Sequence, residues 1–290
     1  GFFYFVDSPP HGLKGGMAFA WRPGVDFEMT YVDSNVVNML MYSDPLYNPW
    51  MLTFVYGPTL WKLKQKFWHT LSAIGNCFNG PWLCLGDFNS LLQASDKLGG
   101  KPIDPSYSKG LGHFMRKQGL IDLGFQGNPY TWVNGRSGNA LIKERLDRGI
   151  CNSAWRLFFP KASIINLPRL TSDHSPIIPD TTGTHSSLPK PFRFEAFWTR
   201  DSSSHQVISD AWQTTCRGSP LLKLCQIISH TKEALKKWNK EHFGVILQKI
   251  QALTDELDHV QRTAHTEYDR IKESTLRKAL HEELRREEML

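Results

Sequence analysis

The chain has 290 residues, 40% hydrophobic and 12% aromatic, enough for a real core and for either one domain with an extension or two small domains. A formal net charge of +6 is compatible with an anionic partner such as nucleic acid, though proteins that touch no polyanion share such a balance. Five cysteines without a C-x-x-C pair argue against a disulfide framework or structural zinc and suggest a reducing compartment, and no run reaches the roughly 18 apolar residues of a membrane span.

Gly1–Val6 is an apolar strand that reads as cut from a longer protein, with no basic stretch or cleavage pattern of a secretion signal. His11–Gly16 is a Gly-rich turn, and strands follow at Met17–Trp21, Val36–Tyr42 and Met51–Tyr56, the last closing at Gly57-Pro58. Leu60, Leu63, Phe67, Leu71 and Ile74 have helical spacing, so a helix runs over Leu60–Phe78 and stops at Asn79-Gly80-Pro81. Lys62, Lys64 and Lys66 are expected on its solvated face, while Trp61, Trp68 and Trp155 fit helix faces without an assigned function. Trp82–Leu85 is a short buried strand in which Cys84 reads as a small hydrophobe, and it opens onto Gly86-Asp87-Phe88-Asn89.

A helix at Ser108–Gln118 and a strand at Leu120–Gly124 come next. Tyr130–Val133 and Leu141–Asp147 are expected to form a hairpin around Asn134-Gly135. Ala154–Phe159 is a short helix, and Ala162–Leu167 a strand leading to Ser172-Asp173-His174-Ser175-Pro176. Strands interleaved with helices, with polar residues at strand ends, predict a layered α/β domain over 1–180. A Thr/Ser/Gly/Pro-rich linker is expected at 181–191 and helices over 192–290, where Ile246, Ile250, Leu253, Leu257, Val260 and Ala264 follow heptad spacing. That spacing predicts an antiparallel hairpin or a coiled coil, with self-association as the second reading.

Phosphodiester hydrolysis needs a cation to neutralise developing charge, a group to activate water, and donors to hold the phosphate. Asp87, Asn89, Asp147, Asp173 and His174 supply most of that set. Taken singly, each motif has an ordinary alternative: Gly-Asp after a strand is usually a turn, a lone His is commonly structural, and Arg145-Leu146-Asp147 could be a strand-end salt bridge. Taken as an ordered set, with Val55-Tyr56-Gly57-Pro58 upstream and Tyr130-Thr131-Trp132 between, they resemble the endonuclease/exonuclease/phosphatase superfamily. The finer pattern is similar to the endonuclease region of a plant non-LTR (LINE-type) retroelement polyprotein.

The resemblance implies a DNase I-like α/β sandwich, incomplete at its N-terminus, followed by an all-helical spacer of the kind that precedes a reverse transcriptase. It implies that His174 contacts the scissile phosphate, Asp147 orients His174, and Asp87 positions or deprotonates water. Asn89 and the Tyr56 hydroxyl would donate to the phosphate, Thr131 would touch the DNA backbone, and Asp173 would bind Mg²⁺ (or Mn²⁺). Whether Asp87 or His174 is the base stays open. The implied activity is nicking of chromosomal DNA for target-primed reverse transcription, in the nucleus or cytoplasm, with DNA as partner and no membrane. The family's N-terminal Asn and Glu motifs have no match, since Asp7 and Glu28 occupy neither, so weak or absent catalysis is expected of this chain alone. A non-catalytic remnant with a nucleic-acid- or partner-binding surface is the alternative, and a phosphomonoesterase of the same superfamily a third.

Overall fold

The computed structural model describes residues 4–8, 17–43, 46–102, 105–183, 192, 194, 198–199, 201–242 and 244–289. The turn expected at His11–Gly16, the first three residues of the expected opening strand, and residues 184–191 of the expected linker lie outside them. The chain divides into two compact units, Gly1–His185 with His265–Glu267, and Ser186–Ala264 with Tyr268–Leu290.

In the first unit β1 (Tyr4–Ser8) and β2 (Met17–Trp21) form an antiparallel ribbon. β3 (Phe27–Val32), β4 (Val36–Ser43) and β5 (Leu46–Tyr56) form an antiparallel meander. Helix α1 (Trp61–Asn76) then crosses over to β6 (Trp82–Asp87), which runs parallel to β5. β7 (Lys97–Leu98), α2 (Pro105–Gln118), β8 (Leu120–Asp122) and β9 (Gln126–Gly127) follow. β10 (Trp132–Val133), β11 (Lys143–Glu144), β12 (Asp147–Asn152), α3 (Ser153–Phe158), β13 (Ser163–Asn166) and β14 (Ile177–Asp180) complete the unit. Among the described residues the central sheet has six strands, β3-β4-β5-β6-β12-β8, and is mixed. The layered α/β class expected from the sequence is the observed one.

β6 reads as a continuous apolar run because both of its faces are covered. On one face Met51, Val55, Cys84 and Ile150 pack against Phe67, Leu71 and Ile74 of α1 and Leu111 and Phe114 of α2. On the other, Met39, Leu52, Leu83 and Cys151 pack against Trp155 of α3.

Three details differ from expectation. β3 was not expected, although Phe27-Glu28-Met29-Thr30-Tyr31 alternates apolar and polar residues; it is a largely exposed strand at the edge of the sheet. Leu141–Asp147 is not one hairpin arm. Lys143–Glu144 pairs with Trp132–Val133 in a small sheet, and the chain crosses at Arg145-Leu146 into the central sheet, where Asp147 begins β12. Lys64 is not solvated; it is 5% exposed.

The second unit is helical: α4 (Ser202–Trp212), α5 (Pro220–His242), α6 (Gly244–Thr263) and α7 (Glu267–Met289). Asp201 caps α4 by accepting from the Ser203 N–H at 2.8 Å. Trp198, Leu235 and Trp238 form its aromatic core, and the Trp238 indole N–H donates to Ser203 Oγ at 2.9 Å. Lys249–Glu283, Gln261–Glu273 at 3.0 Å and Lys272–Glu256 at 2.9 Å pair α6 with α7 antiparallel. The hairpin is thus the one of the two expected packings that forms. Among the described residues no helix is long and apolar enough to cross a membrane.

Candidate active site

The site lies where β5, β6 and β12 meet end to end. Tyr56, the last residue of β5, is in register with Asp87, the last of β6, and Asp87 is in register with Asp147, the first of β12. This places two carboxylates directly opposite each other on neighbouring strands, an arrangement that costs stability when both are ionised. Two glycines allow the close approach. A Cβ on Gly86, whose φ is +133°, would lie 2.3 Å from the Val55 carbonyl oxygen, and one on Gly57 would lie 2.5 Å from that of Phe88.

After Gly86 the chain turns on Phe88, which is fully buried and stacked on Trp68 at 6.4 Å. Asn89 then takes a left-handed conformation with φ of 46°, which Asn tolerates better than most residues. Its backbone N–H donates to Asp87 Oδ1 at 2.7 Å, and its side-chain NH₂ donates to Asp87 Oδ2 at 2.7 Å and to the Gly57 carbonyl at 2.8 Å. An amide NH₂ has two hydrogens, and both are used. The expected donation from Asn89 to a phosphate is therefore corrected: in this geometry Asn89 orients Asp87.

The buried Lys64 holds the turn from beneath, donating its ammonium to the Asn89 carbonyl and to Ser90 Oγ at 3.2 Å. The sequence carries a signal for this, because Lys64, Phe67, Leu71 and Ile74 share one helix stripe. Burial pushes the Lys64 ammonium below its usual range, against the attraction of Asp87 and Glu144. Burial, with the charge of Asp147, pushes the Asp87 carboxyl up to about 6.

His174 faces Asp147, with Nδ1 2.9 Å from Asp147 Oδ2. That contact fixes which ring nitrogen points to the carboxylate and leaves Nε2 on the other side of the ring. Burial works against a charged imidazole here. The hydrogen bond and charge of Asp147, with the charges of Asp87 and Asp173, outweigh it and hold His174 above its ordinary value. Thr131 sits under this pair, fully buried, and its hydroxyl accepts from the backbone N–H groups of Leu146 and Asp147 at 3.0 Å each. The expected contact of Thr131 with DNA is thus corrected, because the hydroxyl positions Asp147 and does not reach solvent.

Asp173 is exposed, and its Oδ2 accepts from the Trp132 indole N–H at 2.8 Å. Trp132 was not singled out in the sequence. Its backbone bridges to His174 and that of Val133 donates to the Asp173 carbonyl at 3.2 Å, so the same strand sets both residues of the Asp-His pair. No group of three or more His, Cys, Asp or Glu side chains among the described residues is placed to hold a metal ion. Mg²⁺ keeps several waters and is bound through one or two carboxylates with substrate phosphate oxygens, so Asp173 would hold it only together with such further ligands. Glu28 is engaged on β3, accepting from the Tyr42 hydroxyl at 3.1 Å.

A buried ion-pair network backs the site. Arg148 of β12, fully buried, pairs with Asp96 and, at 2.7 Å, with Asp122, which also takes Arg145 at 2.8 Å. Arg145 is therefore a strand-end salt bridge, as the plainer reading of Arg145-Leu146-Asp147 held, while the neighbouring Asp147 faces His174.

No family model and no curated protein matches the chain. Among solved structures it is similar to the endonuclease domain of TRAS1, a telomere-specific non-LTR retrotransposon, at 16% identity and a TM-score of 0.47, covering 60% of this chain and 77% of that one. It is similar to the AP endonuclease LMAP from Leishmania major at 17% identity and a TM-score of 0.46, covering 60% and 68%. It is also similar to the mannosyl-6-phosphatase Bt3783 of Bacteroides thetaiotaomicron VPI-5482 at 13% identity and a TM-score of 0.36, covering 60% and 74%. At these scores the likeness carries no argument about chemistry, which rests on the side chains.

Proposed function

We propose that the site hydrolyses phosphodiesters, with DNA as the substrate the sequence resemblance implies and nicking for reverse transcription as its use. The observation that carries this reading is the cross-strand pair Asp87 and Asp147, with His174 bonded to the second at 2.9 Å. The two ionisable members divide the work. Asp87, at about 6, is ionised near neutral pH yet basic enough to take a proton from water, which makes it the general base. His174, whose protonated form Asp147 favours, would present its Nε2–H to a phosphate oxygen as charge builds there. Tyr56, at the end of β5 beside Asp87, offers a second donor. Water attacks phosphorus, its proton passes to Asp87, the P–O3′ bond breaks, and O3′ takes a proton from solvent to leave as the 3′-hydroxyl.

A divalent cation would supply further charge neutralisation, with Asp173 as its expected ligand. Among the described residues no group of three or more His, Cys, Asp or Glu side chains would hold it, so water and phosphate oxygens would supply most of its ligands. The same observation favours a second reading, a non-catalytic remnant that retains a nucleic-acid surface.

The test is the pH dependence of plasmid nicking. The rate is expected to rise through about pH 6 as Asp87 ionises and to fall above the ordinary His range as His174 loses its proton. In Asp87→Asn the rising limb should vanish together with most of the rate. A profile that keeps its rising limb in that variant removes Asp87 from the role of base.

A further inference from the structure

Helices α1 and α2 carry Lys62, Lys64, Lys66, Lys109, Arg116 and Lys117 and not one Asp or Glu. Those six cations equal the whole net charge of +6, so the rest of the chain, with 28 of its 34 Lys and Arg against all 28 Asp and Glu, is balanced. These two helices pack side by side, and their six cations without a carboxylate in either helix make a local positive field.

Between them runs a groove of about 880 Å³, lined among others by Trp61, Lys62, Lys64, Trp68, His113 and Arg116, with no carboxylate among its described lining residues. Its two tryptophans differ in setting. Trp68 is fixed, stacked on Phe88 and on Phe114, and Gly110 lets α2 approach so closely that a Cβ there would lie 2.6 Å from the Trp68 indole nitrogen. Trp61 is 54% exposed at the start of α1. Lys62, His113 and Arg116 are exposed around it. Lys64 joins the groove to the site, since its ammonium bonds the Asn89 carbonyl and Ser90 Oγ behind Asp87.

We propose that this groove binds a single-stranded stretch of DNA, with a base stacked on Trp61 and flanking phosphates held by Lys62 and Arg116. Cations interleaved with an exposed aromatic are the chemistry that single strands use, because an unpaired base has a free face and every base can stack. A duplex has its base faces covered and would use only the charges. The choice of DNA over RNA rests on the phosphodiesterase reading; the groove and its charge do not.

The test is fluorescence anisotropy of a labelled oligo(dT) of about 15 nucleotides with the full chain, at low and moderate salt, using wild type, Trp61→Ala, Lys62→Glu, Arg116→Glu and His174→Ala. These groove side chains are exposed, and thermal melting checks that each variant folds. Trp61→Ala should weaken binding about tenfold, consistent with loss of one stacked base. Lys62→Glu and Arg116→Glu should each weaken it at least as much and reduce the salt slope by about one. Unchanged affinity in Trp61→Ala, or equal affinity for a duplex and the single strand, would overturn the proposal. The two readings fail separately. Loss of nicking in His174→Ala with no effect of the groove variants on binding rejects the groove alone. Weakened binding in the groove variants with no nicking by wild type rejects the phosphodiesterase alone.

Discussion

Asp87 breaks two local rules at once: it is a buried carboxylate, and it faces another across a strand pair. A carboxyl held at about 6 rather than 3.8 binds its proton more tightly in the native than in the unfolded chain. Stability therefore falls as pH rises from about 4 through 6, and the full cost, on the order of 3 kcal/mol, applies above that window. Asp87→Asn is thus expected to stabilise the fold by about 1–3 kcal/mol at pH 7.5 and by nearly nothing below pH 4, while lowering any activity. Urea denaturation at the two pH values measures this, and a destabilised variant at pH 7.5 would show that the carboxylate is needed structurally. His174 acts in the same direction. Its raised value adds stability below the ordinary His range, and that stability is lost as pH rises through the raised one. At this scale the sequence exposed the reactive side chains but not their partners. Asp87, Asp147 and His174 were legible as motif members, whereas the engagement of both Asn89 hydrogens and the burial of Thr131 depend on contacts with Gly57 and Leu146, distant in sequence.

Between elements, the crossover at Arg145-Leu146 decides where Asp147 points. The chain leaves a two-residue strand paired with Trp132–Val133 and enters the central sheet within two residues. Arg148 anchors the far side of that step. It is fully buried against Asp96, whose carboxylate also accepts from the N–H groups of Leu92 and Gln93 at 2.8 and 2.9 Å. Arg148→Met should destabilise by about 3–5 kcal/mol because it strips Asp96 of its buried partner, and adding Asp96→Asn should recover part of the loss. Denaturant midpoints of the single and double variants measure this, and additive losses would mean that the pair is not coupled. Strands β5 and β6 were legible because they are apolar runs ending in polar residues, whereas β12, Asp147-Arg148-Gly149-Ile150-Cys151-Asn152, opens with charges and was not expected. The hairpin was misplaced because Leu141–Asp147 is one stretch in sequence while its two ends serve different sheets. β3 was missed although Phe27, Met29 and Tyr31 alternate with Glu28 and Thr30, the period of a strand.

Taken as a whole, the α/β unit presents its carboxylate pair at one end of the central sheet and carries six cations and no carboxylate on the two helices that cover one face. The helical unit was legible from heptads alone, and α6 and α7 close as a hairpin whose charged residues pair across it. Neither unit's pattern disclosed Lys64 as the link between the helix layer and the Asp87–Asn89 turn, since a lysine on an apolar stripe is read first as solvated. The measurement that bears most directly on this account is nicking of supercoiled plasmid by the purified chain, with millimolar Mg²⁺ or Mn²⁺, beside the His174→Ala variant. Slow conversion to the nicked circle that disappears in the variant is the expected result. A chain that is folded by thermal melting yet leaves the plasmid intact, or that nicks it equally well without His174, would contradict the assignment of this site as a phosphodiesterase.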